Sequence, residues 1–223
     1  MEKLKRYIVL IIGLFINSLG VAVITKATLG TSPISAIPYV LSLSYDLSLG
    51  NFTIIFSLAL ILLQLLLLGK NFKLEHLLQI PVSIVFGYFI DLCMYFLFFI
   101  KPTNYLSSFI FLIVGCVILG IGVYLEMLSD VVMLPGESFV RAVVFRLHSE
   151  FGLTKIIFDI SISTIALIIS LILSKKIDGV REGTIVAAIL VGLIARVINK
   201  LLPGLEQKLF TNNSNKENIS QKI

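Results

Sequence analysis

The stretch Tyr7–Ile24 reads YIVLIIGLFINSLGVAVI, eighteen residues without one charged side chain. The hydrocarbon layer of a bilayer is about 30 Å thick, and a helix needs about 20 mostly apolar residues to cross it. Five further blocks of similar character follow, at residues 52–68, 77–100, 106–125, 156–173 and, less uniformly, 183–202. The chain therefore carries six candidate membrane spans.

The composition of the chain agrees with this reading. Hydrophobic residues make up 57% and charged residues 14% of the 223 positions, whereas a soluble domain is about 25% charged. The apolar blocks do not alternate strictly between apolar and polar residues, which argues against a transmembrane barrel and for helices that satisfy their own backbone. The sequence predicts an all-α polytopic membrane protein with the lipid bilayer as its main partner.

An internal repeat relates the two halves of the chain. A shift of 102 positions pairs Gly13 with Gly115, Gly20 with Gly122, Pro33 with Pro135 and Gly50 with Gly152, and a shift of 105 then pairs Gly87 with Gly192. Glycine and proline matches are informative because each residue marks a backbone constraint. We interpret 7–100 and 106–202 as two copies of one membrane unit, with 1–6 as a cytoplasmic N-terminus and 207–223 as a disordered polar tail.

Each predicted copy contains a short segment that begins at a proline, Pro33–Leu47 in the first and Pro135–Ser149 in the second. A fifteen-residue helix is only about 22 Å long, so these segments are expected to be re-entrant or interfacial helices. Three crossings per copy would give an inverted repeat with six spans, and four would give a parallel repeat with eight.

The basic residues help to choose between these topologies. Lys3, Lys5, Arg6, Lys70, Lys73 and the tail lysines favour cytoplasmic N- and C-termini and six spans, although Lys175, Lys176 and Arg181 would then face outward. We therefore expect the inverted 3+3 arrangement. The net charge of +5 is spread over helix ends and the tail rather than over one face with aromatic residues, so no nucleic-acid partner is expected.

Two motifs resemble those of a known family. Thr28-Leu-Gly-Thr-Ser-Pro-Ile-Ser-Ala36, followed by Ser48-Leu-Gly50 and Leu62-Leu-Leu-Gln64, resembles the bacterial YczE/YyaS/YitT group of membrane proteins, and Arg181-Glu-Gly-Thr-Ile185, leading to Gly192 and Arg196, is similar to its closing element. The resemblance covers residues 7–202. It implies a multi-pass bacterial plasma-membrane protein without naming a substrate, and the short tail after Leu202 suggests the YczE branch.

The starts of the short segments are the candidate substrate-binding site. Thr31-Ser32-Pro33 and Pro135-Gly136-Glu137 are good helix starts, and a helix start near the bilayer midplane can bind an anion. Arg141 and Arg146 are further candidate ligands for an anionic or zwitterionic solute. The opposing interpretation is an ordinary interfacial helix, neutralised by Glu137–Arg141 and Arg146–Glu150 ion pairs.

Five polar residues within the long blocks are candidates for packing, pairing or ion coupling. Asp91 and Arg196 occupy equivalent repeat positions and could pair, or Arg196 could anchor a helix end. Asp159 lies four residues after Lys155, which favours a local pair over a coupling carboxylate. Asn17 and Gln64 are interpreted as helix-packing residues, as is the small pair Ala188-x-x-x-Gly192. Glu126 and Asp130 flank the loop before the second short segment, and they are expected to be solvated or to line a vestibule.

The sequence favours transport over catalysis. It contains no Gly-rich phosphate loop, no His-Glu-x-x-His motif and no Gly-x-Ser-x-Gly elbow, and Cys93 and Cys116 lie within apolar blocks as small hydrophobes. No catalytic residue, metal site or cofactor is expected. The leading hypothesis is a secondary transporter or permease for a small anionic or zwitterionic solute, and the alternative is a non-transporting scaffold or regulator that binds a protein or lipid.

Overall fold

A computed structural model describes residues 2–202 and 205–210. Every regular element in this part of the chain is helical. The α-helices are α1 Glu2–Lys26, α2 Ala36–Ser44, α3 Leu49–Leu68, α4 Gln79–Phe96, α5 Tyr105–Ser129, α6 Pro135–Leu147, α7 Phe151–Ser174, α8 Glu182–Leu201 and α9 Leu205–Phe210. Short 3₁₀ turns at Pro33–Ser35 and Leu74–Leu78 lead into α2 and α4.

Six of the described helices are long and apolar enough to cross a membrane. Five of the six predicted blocks coincide with α1, α3, α5, α7 and α8 to within a residue or lie inside them, which confirms the all-α polytopic fold class. The remaining block, 77–100, begins in a 3₁₀ turn and its helix ends at Phe96. Polar caps fix two of the starts, since Ser48 Oγ accepts from Asn51 N at 3.1 Å and Asn104 Oδ1 accepts from Ser107 N at 2.8 Å.

Helices α1 and α5 form the centre of the bundle and run antiparallel. Gly20 lies against the backbone of Leu119, and Gly122 lies against the backbone of Asn17. A Cβ atom at Gly20 would come within 2.5 Å of Leu119 Cα, so only glycine permits this approach. Gly13 likewise lies beside Glu126, and Gly115 lies beside Ile24. The close packing of the two helices therefore extends toward both ends of the interface. These four glycines, all members of the repeat matches, therefore pack α1 closely against α5.

The outer long helices pack around this central pair. Helix α4 contacts α1, where Ser18 Oγ donates to the carbonyl oxygen of Phe86 at 3.2 Å, and it pairs with α3 at the close contact of Gly50 with Gly87. Helix α8 packs on α5, where Gly120 meets Ile194. Gly192 has no atom within 4 Å of its would-be Cβ, so the Ala188/Gly192 face is open within the chain, and its predicted packing role is not used there.

The two short helices cross to the opposite half of the chain. Helix α2 packs on α7 and helix α6 packs on α3. Their starts contact each other, because a Cβ at Gly136 would lie 2.7 Å from Ile34 Cδ1. An apolar cluster around Ala36, Val40, Val140 and Phe158 buries the faces that meet there.

The predicted disordered tail, 207–223, is partly wrong. Residues 207–210 belong to α9, and the ring of Phe210 is buried against Tyr124 and Leu128 with the Arg6 guanidinium 4.4 Å from its centroid. A buried aromatic ring outweighs the polar character of its neighbours in sequence. Residues 211–223 lie outside the described part of the chain.

Candidate functional site

A cavity of about 710 Å³ opens at the end of the bundle where α1 begins. Its walls are the end of α3, residues 70–79, the end of α5 with the loop to α6, and one face of α6. Polar and charged side chains line much of it: His76, Gln79, Glu126, Asp130, Ser138 and Arg141, together with Lys70 and Lys73 at the rim. A cavity of this size can hold a small metabolite.

Arg141 is the cation that the second short helix presents to this cavity. The predicted Glu137–Arg141 and Arg146–Glu150 pairs are wrong, since neither occurs among the ion pairs of the described residues. Arg141 and Arg146 are both exposed, but only Arg141 lines the cavity. The guanidinium of Arg141 therefore has all its donors available to a ligand or to water.

The start of α6 is fixed by polar contacts to two neighbouring helices. Pro135 occupies the first helical position, and its carbonyl oxygen accepts from Gln64 Nε2 at 3.2 Å. The preceding amide, Leu134 N, donates to Glu126 Oε1 at 2.7 Å. Gly136 packs on Ile34 and Glu137 is half-buried beside the cavity. The helix start is thus anchored by protein groups.

An amide network joins α3, α4 and α6 at the cavity wall. Gln64 and Gln79 exchange two hydrogen bonds at 3.2 Å, and Ser138 Oγ lies 3.0 Å from both Gln64 Oε1 and Gln79 Nε2. Gln64 is fully buried, whereas Gln79 and Ser138 reach the cavity. The packing role expected of Gln64 is confirmed, and the network also gives the cavity a neutral polar wall.

Glu126 is buried and hydrogen-bonded in a way that its position in the sequence does not predict. The expectation that it is solvated is wrong, because it is 6% exposed. The alternative expectation, that it lines a vestibule, agrees with its place in the cavity wall. Its carboxylate accepts from Leu134 N and, at 3.3 Å, from Asn17 Nδ2. The loop after α5 folds back over it, which the sequence alone does not indicate. The repeat did carry one signal, since a shift of 102 pairs Glu126 with the apolar Ile24.

The first short segment does not contribute to the cavity. Thr31, Ser32 and Pro33 are buried, and none of them lines it. Thr31 N donates to Thr184 Oγ1 at 3.2 Å, and Ser32 Oγ donates to Ser35 Oγ at 2.9 Å. The hydrogen-bonding groups that could have met a ligand are used inside the protein.

The two family-like motifs lie against each other at the end of the bundle opposite the cavity. Gly183 N donates to the carbonyl oxygen of Leu29 at 2.8 Å, and Arg181 Nη1 donates to that of Thr28 at 3.3 Å. Together with the Thr31–Thr184 bond, these contacts clamp the start of α8 to the loop before α2. The two motifs therefore have a structural role, which is to hold the loop before α2 against the start of α8.

The remaining intramembrane candidates have structural partners. Asp91 caps α3, accepting from Ser48 Oγ at 2.6 Å and from Gly50 N at 2.8 Å, so it does not pair with Arg196, which is exposed. Asp159 accepts from Lys155 Nζ at 2.6 Å, which confirms the local pair. These contacts leave Glu126 as the buried carboxylate at the cavity.

Comparison with known proteins gives a family without an assigned activity. A model described as a family of unknown function (DUF6198) matches residues 4–200. The uncharacterized protein YyaS of Bacillus subtilis (strain 168) is 32% identical over 121 residues, which are 52% of this chain and 57% of that relative's length. No solved structure matches. The resemblance to a YyaS-like group is confirmed, and the placement nearer the YczE branch stays a prediction.

Proposed function

Because the chain belongs to the family of unknown function DUF6198, we propose its role from geometry: a secondary transporter or permease for a small anionic or zwitterionic solute. The observation that carries this proposal is Arg141, which has no ion-pair partner among the described residues and lines a polar cavity beside α6. Arg141 is exposed, and it lines a cavity that also holds amide and hydroxyl groups. A guanidinium in such surroundings suits a carboxylate or phosphate group. The role is one of binding and passage, with no catalytic step.

The contacts between α1 and α5 support an inverted repeat, and such a repeat is the first argument for a transporter. The repeat shift of 102 pairs Asn17 with Leu119 and Gly20 with Gly122. In the structure Gly20 lies against Leu119 and Gly122 lies against Asn17, so each residue contacts the repeat partner of the other. Such an exchange is what a two-fold axis through the centre of an antiparallel pair produces. Inverted repeats of this kind place transport sites near the membrane midplane. The reciprocal packing of α2 on α7 and α6 on α3 fits the same symmetry.

Re-entrant short helices are the second support. Because Gly20 lies beside Leu119 in an antiparallel pair, the last residue of α1 is level with residue 113 of α5. Residue 113 is eight residues after the start of α5, which is about 12 Å along the helix at 1.5 Å per residue. The same offset holds at the other end of the pair. The loops to α2 and α6 therefore begin well inside the bundle, from opposite ends, and the helix starts meet at Ile34 and Gly136. Helices lying flat on opposite surfaces could not meet.

We further propose that the cavity opens toward the cytoplasm of a bacterial plasma membrane. It lies at the end where α1 begins, and basic residues concentrate there: Lys3, Lys5, Arg6, Lys70 and Lys73. Lys and Arg are enriched on the cytoplasmic side of membrane proteins. The apolar outer faces of the six long helices would contact lipid.

Ligand binding by purified protein tests the proposal. A panel of small anions, zwitterions, cations and neutral solutes is screened for an increase in the unfolding temperature, since a ligand that binds only the folded state stabilises it. We expect anions or zwitterions to stabilise the wild type and Arg146→Gln, and to lose at least tenfold in affinity in Arg141→Gln. Equal affinity in both variants, or stabilisation by cations alone, would contradict the proposal.

A further inference from the structure

We propose that Glu126 binds the proton whose movement is coupled to that of the solute, and that its carboxylate controls the start of α6. The inference rests on the proposed transport function and extends it by naming the coupling ion and the group that carries it. Three observations support it: the burial of the carboxylate, the nature of its partners, and its position between α1, α5 and α6.

Glu126 is a buried carboxylate without a cationic partner. Its residue is 6% exposed, and no described Lys, Arg or His forms an ion pair with it. Its other contacts are the Asn17 amide and the Leu134 amide N–H. Ionisable groups within membrane helices are costly to retain and mark ion or proton pathways when they border a water-filled cavity. Glu126 borders the cavity described above.

The partners favour a proton over a metal cation. Both groups bonded to the carboxylate are N–H donors, whereas sodium, calcium or magnesium requires several oxygen ligands. The charged groups facing Glu126 are spread around the cavity and include no pre-formed oxygen cage. They are Glu137 and Arg141 from α6, Asp130 from the loop, and Lys70, Lys73, Glu75 and His76 from residues 70–76; α1 contributes the neutral Asn17 and α4 the neutral Gln79.

The position of Glu126 links proton binding to movement. Leu134 directly precedes Pro135, so the bond from Leu134 N to Glu126 Oε1 holds the first turn of α6 against α5. A charged acceptor makes such a bond about twice as strong as a neutral one. One proton taken from cavity water converts the carboxylate to a neutral acid and weakens this anchor. Release of that proton to water restores the anchor. Arg141, two turns along the same helix, would move with it.

Transport under an imposed pH gradient tests the coupling. Proteoliposomes are assayed for gradient-driven accumulation of the solute found in the binding panel, and for counterflow exchange of that solute without a gradient. We expect Glu126→Gln to lose at least tenfold of the accumulation while keeping exchange within about twofold of wild type. Glu150→Gln, an exposed acid outside the cavity, is the control and keeps both activities. Accumulation by Glu126→Gln equal to wild type would overturn the inference.

A second readout needs no solute. Infrared difference spectra recorded while pH is varied detect the C=O stretch of a protonated carboxylic acid. We expect one titrating band that Glu126→Gln lacks, that shifts in Glu126→Asp, and that Glu150→Gln retains. If no solute is transported, the proposed function fails and this band alone decides whether Glu126 exchanges a proton. A spectrum unchanged by Glu126→Gln overturns the proposal in either case.

Discussion

The backbone N–H of Gly183 donates a 2.8 Å hydrogen bond to the carbonyl oxygen of Leu29. The two residues belong to the two motifs that identify the family-like pattern, and they are more than 150 positions apart. The bond forms because Gly183 has no side chain, since a Cβ there would lie 2.5 Å from Leu29 O. This contact ties the last long helix to the turn between α1 and α2.

Gly183→Ala is therefore expected to destabilise the protein. The added methyl group would push apart a buried contact, a type of overpacking that costs about 1–3 kcal/mol of unfolding free energy. Gly192→Ala on the same helix is the matched control, because its Cβ would enter open space and the helix gains about 1 kcal/mol of propensity. Unfolding in a denaturing detergent measures both. Equal effects of the two substitutions would contradict the contact.

The meeting of the short helices predicts a specific cross-link. In a chain with Cys93→Ala and Cys116→Ala, cysteines replacing Ile34 and Gly136 should be joined by a short bifunctional thiol reagent. A chain with cysteines replacing Ile34 and Phe145, at the exposed far end of α6, is the control and should not be joined. Mass spectrometry of the digested protein gives the yield. Cross-linking of the control pair alone would contradict the contact between Ile34 and Gly136.

The amide network predicts strong coupling between two glutamines. Gln64→Leu and Gln79→Leu each remove the two hydrogen bonds between the amides, and the loss of bonds to buried polar groups costs about 1–3 kcal/mol. The double variant should lose less than the sum, with a coupling of about 0.5–3 kcal/mol. A double-mutant cycle on unfolding free energies measures this value. Additive losses would mean that the pair is not bonded in the protein.

The sequence predicted the parts of the fold that depend on length and backbone constraint. Block length predicted the six long helices, and the repeat matches marked glycines that the structure places at the α1–α5 interface, where close approach requires glycine. The short segments were located by their prolines. These signals are local, so a single sequence carries them.

The site was predicted less completely because it depends on how loops fold. Glu126 ends its block, which favours a solvated position, yet the loop to Leu134 covers it. Arg141 has an acid four residues earlier, which favours a helix-surface pair, yet no ion pair joins the two among the described residues and Arg141 lines the cavity. Thr31 lies at a helix start that was a candidate anion site, yet its N–H donates to Thr184, more than 150 positions later in the sequence. Each case was decided by a contact distant in sequence.

Solute uptake into proteoliposomes tests the central claim most directly. The solute that binds wild-type protein is loaded outside vesicles containing wild type, Arg141→Gln or Arg146→Gln, each reconstituted in equal amount. We expect saturable uptake by wild type and Arg146→Gln and at least a tenfold loss in Arg141→Gln, because of these two arginines only Arg141 lines the cavity. Uptake by Arg141→Gln equal to that of wild type, or no uptake of any bound solute by folded wild-type protein, would contradict it.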